Sequence, residues 1–181
     1  MRQNRAYLSL GSNIKPVENL KAAVEQLAIL TDLKAVSSVW ETNPVGLLNQ
    51  PNFLNAAAIV DTELNAAQLK RTILISIEQR LGRVRQADKN AARTIDIDLM
   101  LFNQQIFRLG QRHIPDAEVI ERAFVAIPLA EIAPDYYHPE TGQTLRQIAQ
   151  CFDVNPADMR LRSDISLVLS NHQAKPELQK R

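Results

Sequence analysis

Cysteine is almost missing from this chain: Cys151 is the single one in 181 residues, which excludes an internal disulfide and a thiolate metal cluster. Glycine is scarce too. The five glycines, Gly11, Gly46, Gly82, Gly110 and Gly142, build no Gly-x-x-x-x-Gly-Lys loop whose backbone N–H groups would cradle a phosphate. The three histidines, His113, His138 and His172, lack metal-ligand spacing. Charge of one sign is not in excess: the formal net charge is +1. The chain as a whole is therefore not drawn to nucleic acid or membrane, and any anion site is local. The N-terminal MRQNRAYLSLGSN has no signal-peptide apolar core, and no run reaches membrane-spanning length. A cytoplasmic address and no membrane partner are expected.

What is present suits a globular enzyme. Apolar residues make up 45% and charged residues 23%, and the length suits one domain with a real core. Strands are expected over 5–10, Leu33–Thr42, Phe53–Glu63 and Thr94–Phe102, with a short one near Ile106–Leu109. Helices are expected over Pro16–Leu30, with Leu20, Val24 and Leu27 in an apolar stripe, and over Ala66–Leu81, stopped by Gly82. The order β-α-β-β-α-β is an α+β, ferredoxin-like plan: an antiparallel sheet with both helices on one face, here followed by additional C-terminal helices. Residues 1–160 are expected to form the domain. Residues 161–181 read as an extension, partly disordered or at a subunit contact, and Arg160–Ser170 allows an edge strand.

The chemistry concentrates between Gly82 and Phe102. On a strand, Asp96 and Asp98 share a face, and two neighbouring carboxylates repel unless a cation or proton lies between them. A hard divalent ion such as Mg²⁺ removes that cost and favours phosphate partners. Arg83, Arg85 and Arg93, just upstream, suit the same anion. The plainer reading is an exposed acidic pair beside a solvated basic loop. Phe53 and Asn55, two apart on the third strand, suit a flat heterocycle, or are a core ring and a polar strand end. Glu78 reads as the solvated edge of its helix, and Phe124 as core.

Together, AYLSLGSN (6–13), TNPVG (42–46), QPNFLNAA (50–57), IEQRLGRVR (77–85), RTIDIDLMLF (93–102) and ERAFVAIPLAEIAPD (121–135) resemble the 6-hydroxymethyl-7,8-dihydropterin pyrophosphokinase family of folate biosynthesis. The resemblance implies the ferredoxin-like fold and transfer of the β,γ-diphosphate of ATP to the pterin hydroxymethyl oxygen, releasing AMP. It implies two Mg²⁺ ions on Asp96 and Asp98, and ATP held by Glu78, Arg83, Arg85, Arg93, Leu99 and Arg122. The catalytic set it implies is Arg83, Arg93, Asp96 and Asp98, with Arg85 on a closing loop. Thr42, Val45, Phe53, Asn55 and Phe124 would hold the pterin. The partners are then two small molecules, ATP and a reduced pterin, for a monomer or weak homodimer.

The chain departs from the family pattern at Asn90, where a tryptophan is usual, and at Asp116, where a histidine is. Ile75 replaces a glutamine of some members, and Gln111 an arginine. All four departures fall on the nucleotide side. They leave open a pterin-binding paralogue with weak or lost transfer and a regulatory role. A ferredoxin-like RNA-binding module is disfavoured by the near-neutral charge and the lack of an aromatic RNA-binding signature on the strands.

Overall fold

In the computed structural model, which describes residues 3–46, 49–84 and 91–168, period-two alternation in the first strand divides the core in two. In β1 (Asn4–Ser12), Ala6, Leu8 and Leu10 point to one face and Tyr7, Ser9 and Gly11 to the other. Pro16 opens α1 (Pro16–Leu30), whose Leu20, Val24 and Leu27 are fully buried on the first face. Each such side chain contributes about 1.5–3 kcal/mol on removal from water.

The remaining sheet strands are β2 (Asp32–Val36), β3 (Trp40–Thr42), β4 (Phe53–Thr62), β5 (Asp96–Phe102) and β8 (Met159–Leu161). Their order is β5-β1-β4-β3-β8, with β2 also on β4, and every pairing is antiparallel. This is the expected α+β, ferredoxin-like arrangement. The first face also receives α2 (Ala66–Gln68), a π-helical turn (Leu69–Leu74) and α3 (Ile75–Arg80), which run on as one helical segment. After α4 (Glu118–Glu121), the helices α5 (Ala123–Ile132) and α6 (Leu145–Gln150) cover the opposite face, where Val125, Ala126, Leu129, Leu145 and Ile148 pack on Tyr7, Ala57 and Ile59. Cover on both faces explains why β4 is buried almost throughout, and why small apolar residues run through it without alternation.

The single strand expected over Leu33–Thr42 is split. At the break, Ser37 N–H donates to the Ala57 carbonyl at 2.9 Å, and Ser37 Oγ accepts from Ala57 N–H at 2.8 Å. Beyond it, Ser38 N–H and Trp40 Nε1–H both donate to the Glu131 carboxylate of α5, at 2.8 and 2.6 Å. A hydroxyl thus replaces a ladder carbonyl, and the strand jogs there. The short strand near 106–109 is β6 (Phe107–Leu109), which forms a hairpin with an unanticipated β7 (Arg112–Ile114). The edge strand foreshadowed at Arg160 is β8, and the expected 160/161 boundary falls inside it. Beyond it, Ile165 and Leu167 pack on the first-face core.

Candidate active site

A cavity of about 470 Å³ opens at the end of the sheet where β1 and β5 meet the start of α5. Its floor follows from register. Asp96 lies opposite Gly11, Gly11 opposite Asn55, and Asp98 opposite Ser9, so these side chains form rows on the α5 face. Gly11 keeps the middle of one row bare; a Cβ there would come within 3.4 Å of Asn55 Oδ1.

The GSN turn after β1 ties the floor to its rim. Ser12 Oγ–H donates to the Thr94 carbonyl at 2.5 Å. Asn13 Oδ1 accepts from Arg93 N–H at 2.7 Å, and Asn13 N–H donates to the Arg93 carbonyl at 3.1 Å. Asn13 Nδ2–H reaches Gln50 Oε1 at 2.9 Å and the Pro51 carbonyl at 3.2 Å. One buried amide therefore holds the arginine segment and the start of the 50–57 motif together.

Asp96 and Asp98 both face the cavity, each beside arginine. Arg93 Nη1 is 2.5 Å from Asp96 Oδ2, and Arg83 Nη2 is 3.8 Å from Asp96 Oδ1. Arg112 forks onto Asp98, with Nη1 on Oδ1 and Nη2 at 3.1 Å from Oδ2. Burial, then the neighbouring Asp96, raises the Asp98 pKa despite Arg112. Glu118 is raised for the same reason, by burial and then Asp116. Burial opposes the charge of Arg112, but Asp98 outweighs it and the net shift is upward. Asp96 adds to burial in opposing the charge of Asp98, and a further cation beside the two carboxylates would offset both effects. Among the described residues no group of three or more His, Cys, Asp or Glu could hold a metal. Two carboxylates nevertheless fit Mg²⁺, which keeps waters and takes phosphate oxygens for the rest of its shell.

Glu78 is not a solvated helix edge. It is 5% exposed, and its Oε1 accepts Ile97 N–H at 2.8 Å, bracing the strand between the two aspartates. On the other side of the floor, Phe53 and Phe124 line the cavity, with Thr42 and Val45 at its rim. The Arg93 guanidinium stands 5.6 Å from the Phe53 ring centroid, linking the basic and aromatic halves. Buried Asn55 donates from Nδ2 to Thr42 Oγ1 at 2.9 Å. Arg122 enters from the start of α5.

One expected residue turns its side chain away from the cavity. The Leu99 side chain is 2% exposed in the first-face core, because strand alternation turns it away from Asp98. Arg85, like Asn90, lies outside the described residues. Conversely, the cavity includes Lys70 from the π-helical turn, Glu118, and Arg112 from β7. Their sequence neighbourhoods carry no signal for this, since a hairpin and a helix irregularity bring them there. Asp116 directs Oδ1 to Glu118 N–H at 3.0 Å and Oδ2 towards Arg112 Nη1 at 3.7 Å.

The stem of the Thr42–Gly46 loop is clamped by the residues that lead into β8. Asn43 N–H donates to the Asp158 carbonyl at 3.2 Å, and Asn43 Nδ2–H to the Ala157 carbonyl at 3.2 Å. Next to it, Glu41 accepts from Asn52, Arg160 and Arg162. Burial opposes its charge, but those hydrogen bonds win and lower its pKa. Among the described residues no helix is long and apolar enough to cross a membrane.

Residues 7–134 match the family described as 7,8-dihydro-6-hydroxymethylpterin-pyrophosphokinase (HPPK). A Pseudomonas aeruginosa protein named 2-amino-4-hydroxy-6-hydroxymethyldihydropteridine pyrophosphokinase is 37% identical over 150 residues, covering 81% of this chain and 91% of that one. A Bacillus subtilis protein of the same name is 43% identical over 133 residues, covering 71% and 78%. A solved Plasmodium falciparum HPPK-DHPS structure superimposes with a TM-score of 0.63 at 15% identity, over 83% of this chain and 45% of that one. That likeness concerns the fold, and the present chain spans less than half of the Plasmodium protein. With the family match over most of its length, the chain belongs to the 7,8-dihydro-6-hydroxymethylpterin-pyrophosphokinase family.

Proposed function

We infer that this chain transfers the β,γ-diphosphate of ATP to the hydroxymethyl group of 6-hydroxymethyl-7,8-dihydropterin, releasing AMP, as a step of tetrahydrofolate biosynthesis. The observation that carries this reading is the cavity itself: an acidic pair ringed by arginine at one end, and two aromatic rings with a buried amide at the other. In this reading Phe53 and Phe124 bound the two faces of the pterin, and Asn55 Oδ1 accepts an N–H from its edge. Thr42 fixes the amide by accepting its other end, and Val45 completes the rim.

Arg83, Arg85, Arg93 and Arg122 hold the polyphosphate. Glu78 keeps the strand of the two aspartates in register through Ile97. The hydroxymethyl oxygen forms a bond to the β-phosphorus as the bond from that phosphorus to the α,β-bridging oxygen breaks. AMP leaves with the electron pair, and the hydroxyl proton passes to water. Held by Asp96 and Asp98, two Mg²⁺ ions would supply charge neutralisation along the polyphosphate and make the hydroxymethyl group easier to deprotonate. Fixing both reactants in line supplies much of the acceleration without a side-chain base.

The protein is taken to act as a monomer or weak homodimer, with the cytoplasm as its address. Residues 1–160 are taken as the domain and 161–181 as an extension whose first residues complete β8 and return Ile165 and Leu167 to the core. The test is a coupled assay for AMP. Purified protein is expected to form AMP only with ATP, Mg²⁺ and 6-hydroxymethyl-7,8-dihydropterin all present. A folded protein that makes none overturns the reading.

A further inference from the structure

A bidentate ionic grip on the acidic pair comes from a residue outside the 93–102 motif. Arg112 forks both nitrogens onto both oxygens of Asp98, and its Nη1 stays within 3.7 Å of Asp116 Oδ2. Its side chain is 42% exposed, against 22% for Asp98 and 15% for Asp116. The guanidinium thus sits on the solvent side of two sheltered carboxylates, where an arriving cation meets it first. A bidentate arginine takes a lone pair on each Asp98 oxygen and sets its positive charge against a metal approaching them. It also has a second anchor, because the Asp116 carboxylate remains beside it if Asp98 is taken.

We propose that Arg112 is a positioning residue that caps Asp98 in the empty site and is handed to the polyphosphate when nucleotide arrives, with Asp116 as its tether. The proposal rests on the pyrophosphokinase reading of the site. Bare metal has to break the fork and leaves the guanidinium without Asp98. Metal arriving with a polyphosphate replaces that lost partner with phosphate oxygens in the same event. Metal accordingly binds this protein well only in company with its nucleotide. Asp116, a carboxylate at the rim of an anion site, is then the holder of an arginine.

Titration with Mn²⁺ alone, followed by electron paramagnetic resonance, and calorimetry with Mg²⁺ and a non-hydrolysable ATP analogue test this on the full chain. Arg112→Gln is expected to tighten Mn²⁺ binding without nucleotide by roughly tenfold, the equivalent of one modest ion pair. The same variant is expected to weaken the Mg²⁺·analogue complex by a similar factor. Arg108→Gln, an equal charge change on the same hairpin outside the cavity, is expected to leave both within twofold. Arg112→Lys is expected to fall between wild type and Arg112→Gln.

Unchanged or weaker Mn²⁺ binding in Arg112→Gln overturns the capping, and an unchanged Mg²⁺·analogue affinity overturns the handover. Equal tightening of Mn²⁺ binding in Arg108→Gln overturns both, by reducing them to net charge. Calorimetric pterin binding, expected to be unaltered, reports that each variant is folded. The function itself is judged separately: a wild-type protein that binds no Mg²⁺·analogue sinks the pyrophosphokinase reading, whatever Arg112 does.

Discussion

Replacing Asn13 by alanine removes a buried amide that ties the arginine segment to the pterin side by hydrogen bonds. Three hydrogen bonds go: to Arg93 N–H at 2.7 Å, to Gln50 at 2.9 Å and to Pro51 at 3.2 Å. Asn13 is 3% exposed, so water replaces them poorly. At about 1 kcal/mol net for each bond, with an added penalty if the Arg93 N–H stays unsatisfied, the loss is about 3–4 kcal/mol. For a chain of this length that lowers the midpoint of thermal unfolding by about 6–16 °C. The catalytic signature is more specific than the stability one. Because Asn13 touches no substrate in the proposed mechanism, both KM values should rise together as Arg93 and the 50–51 segment drift apart. Differential scanning calorimetry and initial-rate kinetics for ATP and pterin are the assays. If Asn13→Ala melts within about a degree of wild type and keeps both KM values, the anchor has been misread.

Asp96→Ala and Asp98→Ala are each expected to abolish AMP formation while calorimetric pterin affinity is largely kept; wild-type rates in both remove the metal assignment. Asn55→Ala should weaken pterin binding by about 5–30-fold, the value of a hydrogen bond or two, with little change in nucleotide affinity. Arg5 forks onto Asp61 across β1 and β4 at 2.8 Å on each side, and that hydrogen-bonded pair, against burial, holds the Asp61 pKa below the ordinary aspartate value. A depressed carboxyl stabilises the fold fully above its unfolded pKa of about 3.9 and loses that contribution as pH falls through the folded value. Denaturant titrations of Asp61→Asn should therefore show a shallower loss of stability in acid than wild type; an equally steep loss refutes the pairing.

The parts of this structure legible in the sequence are those decided by neighbours along the chain. Pro16–Leu30 was readable because a first-turn proline and a stripe of Leu20, Val24 and Leu27 act within one helix. Asp96 and Asp98 share a face for the same local reason. Alternation along the same strand, equally readable beforehand, sends the Leu99 side chain to the core. The break at Ser37 depends on Ala57 and Glu131, partners far away in the chain, and so escapes a local pattern. Glu78 looks like a surface charge on its helix and is buried only because β5 presents Ile97 N–H to it. Arg112 has no local signature at all. Its place depends on a hairpin folding back over the floor of the cavity.

The clamp on the Thr42–Gly46 loop has a consequence for how the molecule is made. Asp158 is synthesised 115 residues after the Asn43 it holds, whereas the aspartates and their arginine partners are complete by β7. On the ribosome, the phosphate half of the cleft therefore has all its described parts while the stem of the heterocycle half still lacks its outer strand. A product stalled after Arg122 but before residue 157 would carry the described anion site beside an unfinished ring pocket.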